Sequence, residues 1–295
     1  MNDQPQSTHL PEHLYIRLSE RRISLARFDA EHHTAFAFTS HRLNPQISLA
    51  ANLKEVERSE GKVRTPGSGI VQVLVGGPAT FVPLAEFQEE DCEKVYDLCF
   101  AEKETRRRVF YDVVAQANCV VVFALAETVC HALEDFGGSV NFISSMTPLL
   151  RHFASRGANT TDKKRLFVNV HGQTAEIFAF DGNRLLLANS FEVHHPADTA
   201  YYTLNIARQV GAEVQPAPTG EDDRNTFTPG LSDLSPIYVT GEDTLQKETA
   251  DELVKYAANI ISITPAAEFN RHPIATTPGV SYDLMTMLLS YRPIN

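Results

Sequence analysis

The strongest constraint on how this chain can fold is a repeat inside it. Residues 14–43 and 166–193 pass through the same succession of extended segments and turns, with Leu14 and Leu166 standing 152 residues apart. In the first copy Leu14, Ile16 and Leu18 alternate with Tyr15 and Arg17, which puts apolar groups on one face of a strand. Residues 23–28 resume the extended pattern, Asp29-Ala30-Glu31 offers a turn, and residues 35–38 return. In the second copy Leu166, Val168 and Val170 alternate with Phe167 and Asn169, and His171-Gly172-Gln173 turns the chain. Residues 175–180 then run to Asp181-Gly182, a strong hairpin signal, and residues 184–189 close the meander. The same shift sets Leu25 on Ile177, Phe28 on Phe180 and Asp29 on Asp181. Chance aligns a few residues of two hairpins more easily than it reproduces a three-strand layout, so the spacing predicts two domains of similar core.

The segments after each meander also correspond. Residues 45–58 read as a helix with Leu49, Leu53 and Val56 on one stripe, followed by a Gly/Pro/Ser loop at 61–69 and a strand at 70–75. In the second half Asp198 is the expected N-cap of a helix over 198–210, with Gly211 as its stop. A polar loop over 213–235, rich in Pro and Gly, precedes a strand at 236–240. Asp243 is expected to cap a further helix whose apolar period runs from Leu245 to Ile260. The first half carries additional material: a strand over 80–87, and a helix over 91–100 with Cys92, Val95, Tyr96 and Cys99 inward. Strands come next at 108–114 and 119–125, then a helix over 127–136, an extended stretch at 139–144 and a helix opened by Thr147-Pro148. The run 119–125 is continuously apolar, as a strand covered on both faces should be. Residues 157–164 are short and polar and mark the boundary, giving domains at 1–160 and 161–295.

A duplicated unit of three strands, helix, strand and helix, with an insertion in the first copy, resembles the actin-like ATPase superfamily. It is similar above all to the bacterial cytoplasmic platform proteins of pilus assembly and type II secretion, and to a small bacterial family of uncharacterised function. The strand–turn–strand ending at Pro83, the acidic start Glu89-Glu90-Asp91, and the strand–helix–strand–helix order of 120–149 support the likeness. The resemblance implies an α/β fold of two actin-like (ribonuclease H-like) domains, each a mixed five-stranded sheet with flanking helices.

It also implies where a nucleotide would sit. In the superfamily the first hairpin of each domain holds phosphate: an Asp positions Mg²⁺, glycines let backbone N–H groups approach, and Thr adds a hydroxyl. The second-domain pattern D-x-G-G-G-T-x-D meets Asn169-Val170-His171-Gly172-Gln173-Thr174-Ala175-Glu176 here. Gly172, Thr174 and Glu176 fit; Asn169 replaces the Asp, and His171 and Gln173 replace glycines. The first-domain D-x-G-T meets Arg17-Leu18-Ser19-Glu20, with Arg17 where the carboxylate belongs. The adenosine stretch meets Tyr238-Val239-Thr240-Gly241-Glu242, keeping one glycine. The resemblance therefore assigns Asn169, Gly172, Thr174, Gly241 and Glu242 as candidate nucleotide-binding positions. With Mg²⁺-positioning groups replaced, ATP hydrolysis is not expected, since it needs positioning and charge neutralisation together.

Other chemistry is thinner. His32-His33, His41 and His194-His195 lack the i, i+4 spacing of a helical metal site and read as solvated turn residues. Cys119 and Cys130 read as core thiols, Val75-Gly76-Gly77-Pro78 as a strand-ending turn without the G-K-S/T of a phosphate loop, and 103–108 as a solvated basic loop. No nucleophile–base–carboxylate set is visible in the sequence. Lys and Arg number 26 against 37 Asp and Glu, a net charge of −11, which disfavours direct gripping of a nucleic-acid backbone. No run approaches a membrane span, residues 1–11 lack an apolar signal core, and four cysteines without C-x-x-C suit a reducing cytoplasm.

These readings converge on a non-catalytic actin-like scaffold or adaptor that binds a protein partner or itself, without cofactor, metal site or catalytic residue. The rival expectation is a nucleotide-binding switch or phosphotransferase that takes ATP with Mg²⁺ in a divergent interdomain cleft.

Overall fold

A computed structural model describes residues 13–19, 21–28, 36–60, 69–100, 106–135, 139–156, 163–214 and 234–290. The turn at 29–31, His32-His33, Glu20, Gly137-Gly138 and Lys103-Glu104 lie outside the described residues, as do the polar N-terminus and nearly all of the 61–69, 157–164 and 213–235 segments. Contacts divide the chain into two compact units, one of residues 1–77, 102–110 and 124–144, the other of 78–101, 111–123 and 145–295.

The first unit is built on β1 (His13–Leu18), β2 (Arg22–Phe28), β3 (Phe36–Arg42), α1 (Leu49–Ser59) and β4 (Ile70–Val75). Between β4 and the last strand of its sheet come β5 (Ala79–Pro83), α2 (Cys92–Cys99), β6 (Arg107–Val114), β7 (Cys119–Ala126) and α3 (Glu127–Glu134); β8 (Ser139–Ser144) then completes the sheet. The order is β3-β2-β1-β4-β8, with the first three strands antiparallel and β1, β4 and β8 parallel. Period-two alternation buries Leu14, Ile16 and Leu18 as the sequence requires. Helix α1 starts at Leu49 rather than 45. Ser48 Oγ accepts from the Ala51 N–H at 3.2 Å, and Asn52 Oδ1 holds the Asn44 N–H at 2.7 Å, so residues 44–48 are tied as a lead-in. The inserted strands form a separate sheet of order β5-β7-β6, whose middle strand is the apolar run β7. Arg107, expected in the basic loop, joins the strand expected from 108 as its first residue, and Cys99, expected inward, is exposed.

Besides 78–101 and 111–123, which hold β5, α2 and most of β7, the second unit contains α4 (Met146–Ser155), β9 (Lys164–His171), β10 (Thr174–Asp181), β11 (Arg184–Glu192), α5 (Pro196–Val210), β12 (Ile237–Gly241), α6 (Asp243–Leu253) and β13 (Ile260–Ser262). Short α7 (Pro265–Glu268) and α8 (Pro273–Thr276) lead to α9 (Tyr282–Ser290). The sheet order, β11-β10-β9-β12-β13, repeats the first with the same pattern of directions. The hairpin register repeats too: Leu14 faces Arg27, and Leu166 faces Ala179, each partner 152 residues on. One sheet face packs Val168, Val170, Ile177 and Val239 with Ala200, Ile206 and Leu253 of α5 and α6. The other carries aromatics, with Phe153 of α4 stacked on Phe167 at 4.3 Å.

Three helix expectations are corrected. Pro196 takes the first position of α5, so His195 is the N-cap and Asp198 stands inside, its carboxylate accepting the N–H of both His194 and His195 at 2.9 Å. Glu242, not Asp243, caps α6. That helix ends at Leu253, and Ile260 instead opens β13, which pairs in parallel with β12. The demand of β12 for a neighbour overrides the helical period of a short apolar stretch.

Candidate functional site

The hairpin joining β9 to β10 carries three of the five candidate positions. His171 and Thr174 face each other across it, leaving Gly172 and Gln173 as the turn. Gly172 takes φ +56°, and a Cβ there would meet no atom within 4 Å. Two residues into the hairpin Asn169 faces Glu176, both essentially buried, and Asn169 Nδ2 donates to Glu176 Oε2 at 2.8 Å. His171 Nε2 lies 3.5 Å from Glu176 Oε1, within ion-pair distance but off hydrogen-bond geometry. The carboxylate is thus turned back on its own hairpin, and Asn169 Oδ1 is left buried without a hydrogen-bond partner.

The other two candidates, Gly241 and Glu242, reach this hairpin from β12. Gly241 sits beside Val170 at φ +127°, and an added Cβ would lie 2.0 Å from the Val170 carbonyl oxygen. That approach needs glycine whatever the site binds. Glu242 N–H donates to the Val170 carbonyl at 2.9 Å, and Glu242 Oε1 accepts the Gly172 N–H at 3.2 Å. A backbone donor of the kind that cradles phosphate is therefore held by a carboxylate. Thr240, wholly buried, faces Asn169, so Glu176, Asn169 and Thr240 stand in a row across β10, β9 and β12.

The equivalent place in the first unit is Arg17, facing Ser24 and buried to 7% exposure. Gly76 comes directly after β4 and donates to the Leu18 carbonyl at 2.7 Å; a Cβ on it would lie 2.9 Å from that oxygen. It closes on the end of β1 as Gly241 closes on β9, which confirms Val75-Gly76-Gly77-Pro78 as a strand-ending turn. A cavity of about 190 Å³ in this unit is lined by Leu14, Leu25, Arg27, Phe38 and Glu60 among others, and Arg17 does not line it.

The profile of a family described as protein of unknown function (DUF3822) matches residues 3–216. The chain belongs to that family. A solved Bacteroides thetaiotaomicron protein with an actin-like ATPase fold resembles this DUF3822 chain with a TM-score of 0.75 and 22% identity, over 94% of this chain and 95% of that one. The PilM–PilN type IV pilus biogenesis complex contains a chain similar at TM-score 0.52 and 15% identity, over 95% and 97%. These likenesses establish the actin-like fold. A search of curated proteins returned no match.

Elsewhere in the DUF3822 chain the structure assembles a set that the sequence conceals. Glu268 of α7 is buried, and its Oε1 accepts from His152 Nε2 at 2.8 Å and from Arg156, while Oε2 accepts from the Tyr282 hydroxyl. Since Nε2 faces a carboxylate it carries the proton, and Nδ1 accepts from Ser290 Oγ at 3.0 Å. Burial, and then the Arg156 charge, push the His152 imidazole down to about 4, so it is neutral at physiological pH. The hydrogen bonds run in the order of a nucleophile–base–carboxylate relay. Ser290, however, closes α9 at its C-terminal end, where carbonyls and not N–H groups are unpaired, and an oxyanion would meet repulsion. The set ties α4, α7 and α9 together. Its members stand far apart in the chain, so no local spacing signals it.

Of the remaining candidates, His41 is corrected: expected in a turn, it lies in β3 opposite Ile23. Cys119 and Cys130 are buried, and burial pushes both thiols up to about 11. His41 Nε2 lies 2.6 Å from Glu60 Oε1. Among the described residues no group of three or more His, Cys, Asp and Glu could hold a metal ion, and no helix is long and apolar enough to cross a membrane.

Proposed function

We propose that this chain is a non-catalytic actin-like scaffold, descended from a duplicated domain, that binds a protein partner or itself in the cytoplasm. The pairing of Asn169 with Glu176 carries the reading. An amide stands where the superfamily places its metal-positioning carboxylate, and it is satisfied by the hairpin's own acid. Glu242 on the Gly172 N–H adds negative charge where a phosphate would come, and Arg17, permanently cationic, repels a divalent ion at the equivalent place in the first domain. Division at 1–160 and 161–295 follows the repeat. The similar PilM chain works in a complex with PilN, which supports a protein partner. Four free thiols suit a reducing compartment.

A second reading, a nucleotide switch or phosphotransferase, draws on the open space beside Gly172 and on Thr174 next to it. Calorimetric titration of ATP with Mg²⁺ into the purified chain, paired with phosphate release, separates the two. The scaffold reading expects no hydrolysis and at best weak binding. Micromolar binding abolished by Thr174→Leu establishes the nucleotide reading instead. Gly241 is unsuitable as the blocking site, because its substitution strikes the Val170 backbone.

A further inference from the structure

β3 is the outer strand of the first unit's sheet, and among the described residues it pairs with β2 alone. Its residues, Phe-Ala-Phe-Thr-Ser-His-Arg, include no Pro, Gly or Lys and run against β2 without a register shift. Proteins commonly blunt a sheet edge with such residues or with a bulge, because its outward backbone groups otherwise accept a further strand. Side chains alternate along the strand, so its two faces offer different chemistry. On one face Ala37 and Thr39 line the cavity of about 190 Å³ together with Leu14 and Leu25; both are exposed, so the cavity opens at the edge. The two charged residues that line it, Arg27 and Glu60, already have interactions, Glu60 with His41 at 2.6 Å, which leaves the space to an apolar group. On the other face Arg22 of β2 stands directly opposite Arg42 of β3, and both are exposed. Like charges so placed repel. Arg22 Nη1 donates to Ser40 Oγ at 3.2 Å, and among the described residues neither guanidinium meets a carboxylate.

We propose that this edge takes an extended acidic peptide of a partner protein as a further strand, with an apolar side chain in the cavity and a carboxylate at Arg22 and Arg42. Main-chain hydrogen bonds to β3 supply affinity, and alternate side chains select the partner. The spacing follows from the strand. A residue opposite Thr39 lies on the cavity face and one opposite Arg42 on the arginine face, so the apolar and acidic residues stand three apart in either strand direction. Each guanidinium can grip a carboxylate through two parallel N–H donors. A second copy of this chain fits less well: β3 carries no acid, so pairing it with itself adds cations and no counter-charge. The inference rests on the scaffold reading and states the chemistry of the partner that the scaffold takes.

The probe is a fluorescein-labelled peptide, Thr-Glu-Val-Thr-Leu-Thr-Val-Glu-Thr, whose central Leu has a Glu three residues away on each side and so serves either strand direction. Fluorescence anisotropy with the full chain should show saturable binding, at least about tenfold weaker when both Glu are replaced by Lys. Arg42→Glu should weaken the acidic peptide at least about tenfold and tighten the Lys peptide, a reversal that damage to the fold does not produce. Ala37→Trp, which blocks the cavity mouth, should weaken both peptides. Circular dichroism melts confirm that each variant folds. Hydrogen exchange gives a second readout: the bound acidic peptide slows exchange in 36–42 and leaves 237–241 unchanged. No saturable binding up to about 200 µM chain, an Arg42→Glu variant that binds the acidic peptide as the wild type does, or unchanged exchange in 36–42 overturns the proposal. A wild-type dimer lost in Arg42→Glu makes a second copy the occupant and overturns it too. None of these outcomes alters the ATP titration, so failure here and failure of the scaffold reading are separate results.

Discussion

The first hairpins of the two sheets share a register and differ in chemistry. Arg17 faces Ser24 in one, and 152 residues on Asn169 faces Glu176 in the other. Each is closed by a glycine, Gly76 against Leu18 and Gly241 against Val170. The backbone contact is common to both copies, whereas the side chains that would handle a metal are not. Backbone geometry has few solutions where parallel strands meet a turn, and both copies use the same one. Side-chain chemistry at the strand ends is not fixed by that contact and can differ between the copies.

The glycines give the largest expected break in this comparison. Gly241→Ala places a methyl 2.0 Å from a carbonyl oxygen at φ +127°, and it should cost about 4 kcal/mol or more, or prevent folding. Gly76→Ala meets its oxygen at 2.9 Å and should cost about 1–2 kcal/mol. Urea melts of both variants measure the difference, and equal losses would show that the two closures are not alike in tightness.

Acid sharpens the contrast between the units. The first unit's Arg108–Glu134 pair is half exposed, so its contribution is small although Arg108 holds the Glu134 carboxyl below its usual range. His152 in the second unit is buried and depressed to about 4 from the usual imidazole value of about 6.5. A depressed imidazole stabilises the fold fully above the unfolded value, and that stability is lost as pH falls through 6.5 towards 4, by about 3 kcal/mol at most. His152→Gln should flatten this limb of the stability–pH curve. An unchanged slope would move the titrating group elsewhere.

A further effect concerns the buried pair itself. Asn169→Asp sets a second carboxylate against Glu176 and should cost about 2 kcal/mol at neutral pH. One carboxyl of the pair then titrates above its usual range, so the penalty eases as pH falls through that raised value. Melts at pH 5 and pH 7.5 test the sign, and a larger loss at the lower pH would contradict it.

Most of the sheet framework was legible because half-buried strands alternate at period two and hairpins announce themselves in Asp181-Gly182. Edges and caps were harder. Ile260 fits a helical stripe by spacing, and only the need of β12 for a neighbour makes it a strand. Asp198 has the chemistry of an N-cap, but Pro196 starts the helix two residues earlier. At the candidate site the residue types were readable, while their partners were not: that Glu242 reaches the Gly172 N–H depends on β12 lying beside β9, some 70 residues along the chain. The Glu268 set escaped for the same reason, since its contacts span 112 and 116 residues.

The two tight turns of the β9–β10–β11 meander have a consequence for the order of events in folding. Both pairings join residues close in sequence and close cheaply, whereas β12 must return past α5 and a long connection to lie parallel to β9. The meander is then the early nucleus of this unit, and docking of Gly241 against Val170 is a late step. A fault at Gly241 should act mainly by hastening unfolding, and a fault in the meander by slowing the search for the fold.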